Sequence, residues 1–228
     1  MIVDHRSEKK PKDRNMSHLK KNWEDMSPWL VHFTDGKCSK SAYDKMMGIL
    51  SSQQIEAKTR YGFARKSIHC VPSACLSEIP LHQISRLAAE RESPYGIVFT
   101  KDFIQSVGGG PILYAYKDST QHKAVVQLRE QAKSDASAPF WQIASFIDAP
   151  GIYGKSKYLF DWEREWRVAN NIDFKSVDVA FLVIPEESHV VARSFFNDAE
   201  AENFGPNYQC PYVDPFWDLD RLKSELPD

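Results

Sequence analysis

Two short stretches of the 228-residue chain hold side chains whose types and spacing could do chemistry. The first is His32-Phe33-Thr34, which continues the apolar run Trp29-Leu30-Val31. In an extended strand, His32 and Thr34 fall on one face and Val31 and Phe33 on the other. An imidazole beside a hydroxyl makes a hydrogen-bonding ledge that could grip a ribose diol or an amide. A satisfied structural histidine is the plain alternative. The second stretch is Asp161-Trp162-Glu163-Arg164-Glu165-Trp166-Arg167. Extended, it puts Glu163, Glu165 and Arg167 on one face and Trp162, Arg164, Trp166 and Val168 on the other. Two carboxylates about 7 Å apart along a strand repel unless a cation or substrate lies between them. A catalytic acid pair is one reading, and a surface ion-pair ladder neutralised by Arg164 and Arg167 is the other.

Other chemistry has weaker support. His69, Cys70, Cys75 and His82 could be drawn as a zinc site, but the spacing matches no standard finger and lacks a tight C-x2-C turn. Ordinary buried thiols and surface histidines are the better account of them. The glycines Gly108 to Gly110 follow a helical segment and precede a strand, the reverse of a phosphate-binding loop, so they read as a helix stop. No G-x-S-x-G or H-E-x-x-H motif occurs. A site in this chain must be assembled from separated residues.

The elements that would position them alternate. Pro28 to Thr34 reads as a buried strand, followed by a helix capped by Ser39 or Ser41 with Ala42, Met46, Ile49 and Leu50 on one face. Gln53 to Ser67 is a polar loop or weak strand. Strands are expected at 74–79, 95–100, 111–116, 160–169 and 177–184. Helices are expected at 81–92, 103–107, 123–133, 140–147 and 189–196. An aromatic, proline-containing tail has no assigned element. The reading is an α+β domain over residues 23–228 with a helical insertion before its last strands, preceded by a polar basic arm at 1–22.

Composition narrows the classes. Lys and Arg total 29 against 31 Asp and Glu, and residues 1–21 carry a net +4, leaving −6 for the remainder. A protein held to nucleic acid chiefly by phosphate neutralisation would show a basic excess. No apolar run reaches about 18 residues, and the first residues lack an apolar signal core, so no membrane association is expected and a cytoplasmic location is. Four scattered cysteines in a chain that is 42% hydrophobic imply no disulfide framework.

Taken together, His32-x-Thr34 on a first strand, the helix ending Gly48-Ile49-Leu50, and a late Glu163-x-Glu165 resemble the ADP-ribosyltransferase superfamily. The opening is similar to the DNA-modifying DarT toxins. More of the chain resembles the abortive phage-resistance AbiGi family. The matching stretches there are Leu30 to Thr34, Cys75 to Pro80, Tyr95 to Phe99, Gly110 to Tyr114 and Glu163 to Arg167, in that order between residue 30 and about 184.

The transferase resemblance implies a split β-sheet core with flanking helices, and NAD as a substrate. His32 and Thr34 would hold the nicotinamide-side ribose, and Tyr95 would stack on the nicotinamide ring. Arg65 would meet the pyrophosphate. Ser77 is the nearest hydroxyl to a Ser-Thr-Ser strand that this chain lacks. Glu165 would oppose the positive charge that develops at the ribose C1′, and Glu163 would orient the acceptor. The activity implied is a mono-ADP-ribosyltransferase toxin of anti-phage defence. Its acceptor would be a protein, RNA or DNA, and its partner a cognate antitoxin. Two rivals remain open: a non-enzymatic defence component that binds a partner protein or nucleotide through the same fold, and a metal-dependent nuclease using Glu163, Glu165 and His32.

Overall fold

The computed structural model describes residues 26–35, 41–78 and 80–226. The basic arm, Ser39 as a cap and Ile79 as a strand end lie outside those residues. Seven strands form one mixed sheet: β1 (Trp29–Phe33), β2 (Ser73–Ser77), β3 (Gly96–Thr100), β4 (Gly110–Pro111), β5 (Glu165–Ala169), β6 (Val179–Val183) and β7 (Tyr212–Val213). Their order is β7-β6-β3-β1-β2-β5-β4, with every neighbouring pair antiparallel except β6 and β7. The fold is α+β, and these strands make one continuous sheet rather than two halves. Pro111 sits on the edge strand, where its missing N–H leaves no ladder bond unmade inside the sheet.

The central strands are near-continuous apolar runs, so the sheet must be covered on both faces. On one face Leu30, Leu76, Ile97, Phe99, Trp166, Val168 and Leu182 pack against α1 (Ala42–Ser52) and α6 (His189–Ala201). Met46 and Leu50 of α1 and Ala192 and Phe196 of α6 carry that contact, each one turn apart. Full burial of Met46 or Leu50 is worth about 1.5–3 kcal/mol. On the other face Val31, Val98, Phe181 and Val183 meet α2 (Ile84–Glu90) and α7 (Leu219–Glu225). A third apolar cluster forms a lobe from α4 (Thr120–Ala132), α5 (Phe140–Ile143) and the loop around Ala64 and Cys70. This lobe is the expected helical insertion. The short α3 (Lys101–Ser106) leads from β3 toward β4.

Local rules explain most boundaries. Ser41 caps α1 by accepting from the Asp44 backbone N–H at 3.1 Å. Thr100 does the same for α3 through Phe103. Gly108 takes φ +84° directly after α3, the left-handed stop that favours glycine.

Several elements depart from the sequence expectation. The strand expected at 111–116 breaks after Pro111, and Leu113–Tyr114 pairs instead in parallel with Ile147–Asp148 in the lobe. The helix expected at 140–147 ends at Ile143, tightens into a 3₁₀ turn, and yields Ile147 to that small ladder. The strand expected from Phe160 begins only at Glu165, because Asp161–Glu163 form a 3₁₀ turn and Arg164 adopts φ +45°. The tail supplies β7 and α7, for which composition offered no sign.

Gly109 and Gly110 separate two uses of glycine. A Cβ on Gly109 would lie 2.4 Å from Ile104 Cγ2 and 2.8 Å from Val168 Cγ2, whereas one on Gly110 meets nothing within 4 Å. Gly109→Ala is therefore expected to destabilise the protein by about 1–3 kcal/mol through overpacking. Gly110→Ala should be neutral or stabilising by up to about 1 kcal/mol. Urea unfolding of both variants checks the contrast, and equal effects would remove the packing explanation.

Candidate functional site

Arg167 is the largest of the fully buried side chains, at 1% exposure in the middle of β5. Strand alternation sends its neighbours Trp166 and Val168 into the core beneath α1 and α6. Arg167 and Glu165 therefore point to the opposite face, toward the lobe. Its guanidinium donates from Nε and Nη2 to the two carboxylate oxygens of Glu165, each at 2.8 Å. Nη2 also reaches Asp148 Oδ2 at 2.8 Å, and Nη1 donates to the Ser145 carbonyl at 2.6 Å. The Tyr61 ring covers it at 5.4 Å. Asp148 in turn accepts from the Tyr158 hydroxyl at 2.7 Å. The Tyr114 hydroxyl accepts from the Glu165 backbone N–H at 3.0 Å.

One cation thus bridges two carboxylates from different parts of the chain, with nearly every donor of the guanidinium used. Burial, and then the neighbouring Asp148, push the Tyr158 hydroxyl up. Burial and the nearby Glu165 and Glu163 carboxylates hold Tyr114 at about 12. Burial, then Glu165, also raises the Cys75 thiol, which keeps its proton and is a poor nucleophile.

The residues expected to form one site divide into two groups. Val31 lies opposite Ser77, and Ser77 opposite Glu165, so these three share a face. His32 pairs with Ile97, which belongs to the other face. The sheet itself stands between His32 and Glu165. His32 Nδ1 lies 2.9 Å from the Cys75 carbonyl, where it donates. The Thr34 hydroxyl donates to the Ala42 carbonyl at 2.7 Å and ties β1 to α1. Tyr95 packs on the same side, edge-on to Tyr43 at 5.4 Å. On the opposite side Ser77 is buried in β2 beside Glu165.

Glu163 does not share the strand with Glu165. It is buried in the preceding turn and accepts from Arg91; desolvation nonetheless raises its pKa, ahead of the opposing attraction of Arg91. Arg65 is exposed in the loop of the lobe. The expected surface ladder of charges is instead a buried junction, because the lobe closes over it. His69 lies against the Trp141 ring and Cys70 is buried in the lobe. Among the described residues no group of three or more His, Cys, Asp or Glu side chains is placed to hold a metal ion.

Sequence reading missed Asp148, Tyr158 and Tyr61, which complete the junction from the lobe. It also missed a second buried pair, Lys101 Nζ to Glu78 Oε1 at 2.7 Å, with Glu78 Oε2 accepting from Trp166 Nε1 at 3.1 Å. The available signal was a charged residue beside an apolar strand, too common to single out.

Outside these junctions the exposed large apolar side chains include Ile68, Val177 and Phe216 as well as two groups along the chain. One surrounds the hairpin Gly151–Tyr158, with Ile152, Tyr153, Phe160 and Trp162 exposed. The other lies on and after α6, with Val190, Val191, Phe195 and Phe204 exposed.

The family of abortive phage resistance protein AbiGi, antitoxin, matches residues 47–209, more than two thirds of the chain. The chain belongs to this family. No curated protein and no solved structure matches it. The antitoxin description corrects the expectation of a toxin that transfers ADP-ribose, because an antitoxin restrains a toxic partner. No helix among the described residues of this AbiGi-family chain is long and apolar enough to cross a membrane.

Two outcomes follow from the geometry. Arg167→Ala strands Glu165 and Asp148 without their cation, and it should cost about 3–5 kcal/mol in chemical denaturation. A loss below 1 kcal/mol would show that the junction does not hold the lobe. For His32, desolvation lowers the pKa from 6.5, opposed by the Cys75 carbonyl and Asp35 and reinforced by Arg91. The unfolded chain then binds more protons just below pH 6.5, so stability is fully present above that value. It falls on acidification by up to about 1.4 kcal/mol per pH unit from this group. His32→Gln should flatten that part of the stability–pH curve, measured by urea unfolding between pH 5 and 7.5.

Proposed function

We propose that this AbiGi-family chain is the restraining member of an abortive phage-resistance pair and acts by binding its toxin protein directly. The observation that carries the reading is the antitoxin family match over residues 47–209, which spans β2 through β6, the lobe and α6. The disposition of side chains agrees with it. The charged residues that looked most reactive, Glu165, Arg167 and Glu163, are spent on holding the fold together. Phe204 and Val190, by contrast, stand 82% and 80% exposed and are open to contact by a partner.

Direct binding needs a surface and no reacting group. A stable protein complex buries roughly 800 Å² on each partner, centred on a few apolar anchors. The exposed apolar residues furnish such anchors, and the doubly covered sheet holds them on a rigid support.

The test is co-expression with the neighbouring reading frame whose product alone arrests growth. The chain should restore growth and co-purify with that product as a single species in size-exclusion chromatography. Growth restored with no complex at micromolar concentrations would overturn direct binding. Growth arrest by this chain alone would overturn the antitoxin role.

A further inference from the structure

Helix α6 ends in a backbone turn that presents an aromatic residue to solvent. Asn203 takes φ +59°, its N–H bonds to the Glu200 carbonyl at 3.1 Å, and the Phe204 N–H bonds to the Ala199 carbonyl at 2.8 Å. This double closure satisfies the last carbonyls of the helix. In such turns the residue at the Phe204 position commonly folds back onto the helix as an apolar seal. Here it stands 82% exposed while its backbone is held. With the backbone already ordered, a partner that covers the ring has only its side-chain freedom to restrict.

Phe204 forms one wall of a hollow of about 260 Å³, completed by Phe195, Phe196, Ala199 and Pro206. That volume is below the range of small-molecule pockets and suits one or two inserted side chains. Val191, one turn before Phe195, extends the apolar surface along the helix. Asp198 and Glu202 line the hollow, and no Lys or Arg does. From residue 185 to 214 the sequence has six carboxylates and a single cation, Arg193. Arg193 is committed to the Tyr208 and Cys210 carbonyls, at 2.5 and 3.0 Å, and lies over the Tyr212 ring.

Other hollows and patches carry less. The larger groove of about 650 Å³ across α6 contains Glu186, His189, Arg193 and Arg221, but their polar atoms already bond within the chain. Around the hairpin, Tyr153 donates to the Ala149 carbonyl, Tyr116 to Asp161, and Arg86 covers Trp162. The hollow beside Phe204 combines apolar walls with carboxylates as the charged groups among its lining residues.

We infer that the hollow formed by Phe195, Phe204 and Pro206 on α6 is the docking site for a segment of the toxin that carries Lys or Arg beside a large apolar anchor. The anchor fills the hollow against Phe204, and its flanking cations meet Asp198 and Glu202. An acidic segment would be rejected, because burial would leave like charges facing one another. The inference rests on the antitoxin reading and names the surface that reading requires.

The experiment uses the purified full-length chain and the purified growth-arresting toxin. Phe204→Asp and Val191→Asp, both at exposed positions, should each weaken toxin binding at least about tenfold. Ile152→Asp, on the hairpin, should change it less than about threefold. Raising KCl from 0.1 to 0.5 M should slow association with the unaltered chain, as screening of the rim requires. Hydrogen exchange on the unaltered complex supplies a check that needs no variant, with protection expected in residues 191–206. Unchanged binding by Phe204→Asp, or protection confined to residues 150–162, would overturn the site and leave the antitoxin reading standing. No binding of the toxin by the unaltered chain would overturn the direct-binding reading on which the site rests. If light scattering shows a dimer of the chain alone that Phe204→Asp dissolves, a second copy is the occupant and the inference fails.

Discussion

The structure turns on the bidentate contact between Arg167 and Glu165, closed from the lobe by Asp148. β5 is the last long strand on its side of the sheet, and one of its faces already fills the principal core with Trp166 and Val168. The other face must be covered by the lobe, whose backbone approaches closely at Gly62, Ser145 and Ile147. A Cβ on Gly62 would lie 2.6 Å from the Ile147 carbonyl. An apolar replacement of the charged trio could match its stability, since desolvating three charges offsets much of their attraction. What the trio adds is direction. The planar fork accepts Glu165 and Asp148 in one arrangement only, so it sets how the lobe seats on the sheet.

That junction also separates the interior chemistry of the protein from its surface. Carboxylates that look reactive in isolation are held by Arg167, Arg91 and Lys101, and the nearby thiol and phenols are kept protonated by burial. The accessible features are of another kind: apolar rings and aliphatic side chains on a support braced by helices on both faces. The proposed binding role is compatible with this distribution, because affinity in protein complexes comes chiefly from a few apolar anchors. α6 and the turn after it add carboxylates beside apolar side chains, with Asp198 and Glu202 next to Phe195 and Phe204.

Much of the fold was legible along the chain. β1, β3 and β6 announce themselves as β-branched and aromatic runs, and α1 by its apolar spacing with Ser41 at its head. Boundaries moved where a local pattern competed with a tertiary demand. Glu163 left the strand because Arg164 turned left-handed. Leu113–Tyr114 left the main sheet because the lobe offered Ile147–Asp148 as a partner. β7 and α7 come from a tail whose prolines and aromatics mask any period, and they form because β6 and the apolar face beneath it need covering.

By itself the sequence determined the α+β class, the apolar strands, the starts of α1, α5 and α6 and the AbiGi-like succession of short stretches, since each follows from neighbours a few residues apart. It also brought His32, Thr34, Glu163 and Glu165 to notice. Only the tertiary structure decided which of them share a face. Alternation along one strand cannot tell which way the next strand is registered. The pairing of Val31 with Ser77 and of Ser77 with Glu165 put the carboxylate on one side of the sheet and His32 on the other. Equally, no local pattern distinguishes an exposed Arg-Glu pair from a buried one. The packing of the lobe, assembled from residues 61–70 and 115–149, turned a surface-like motif into the core junction.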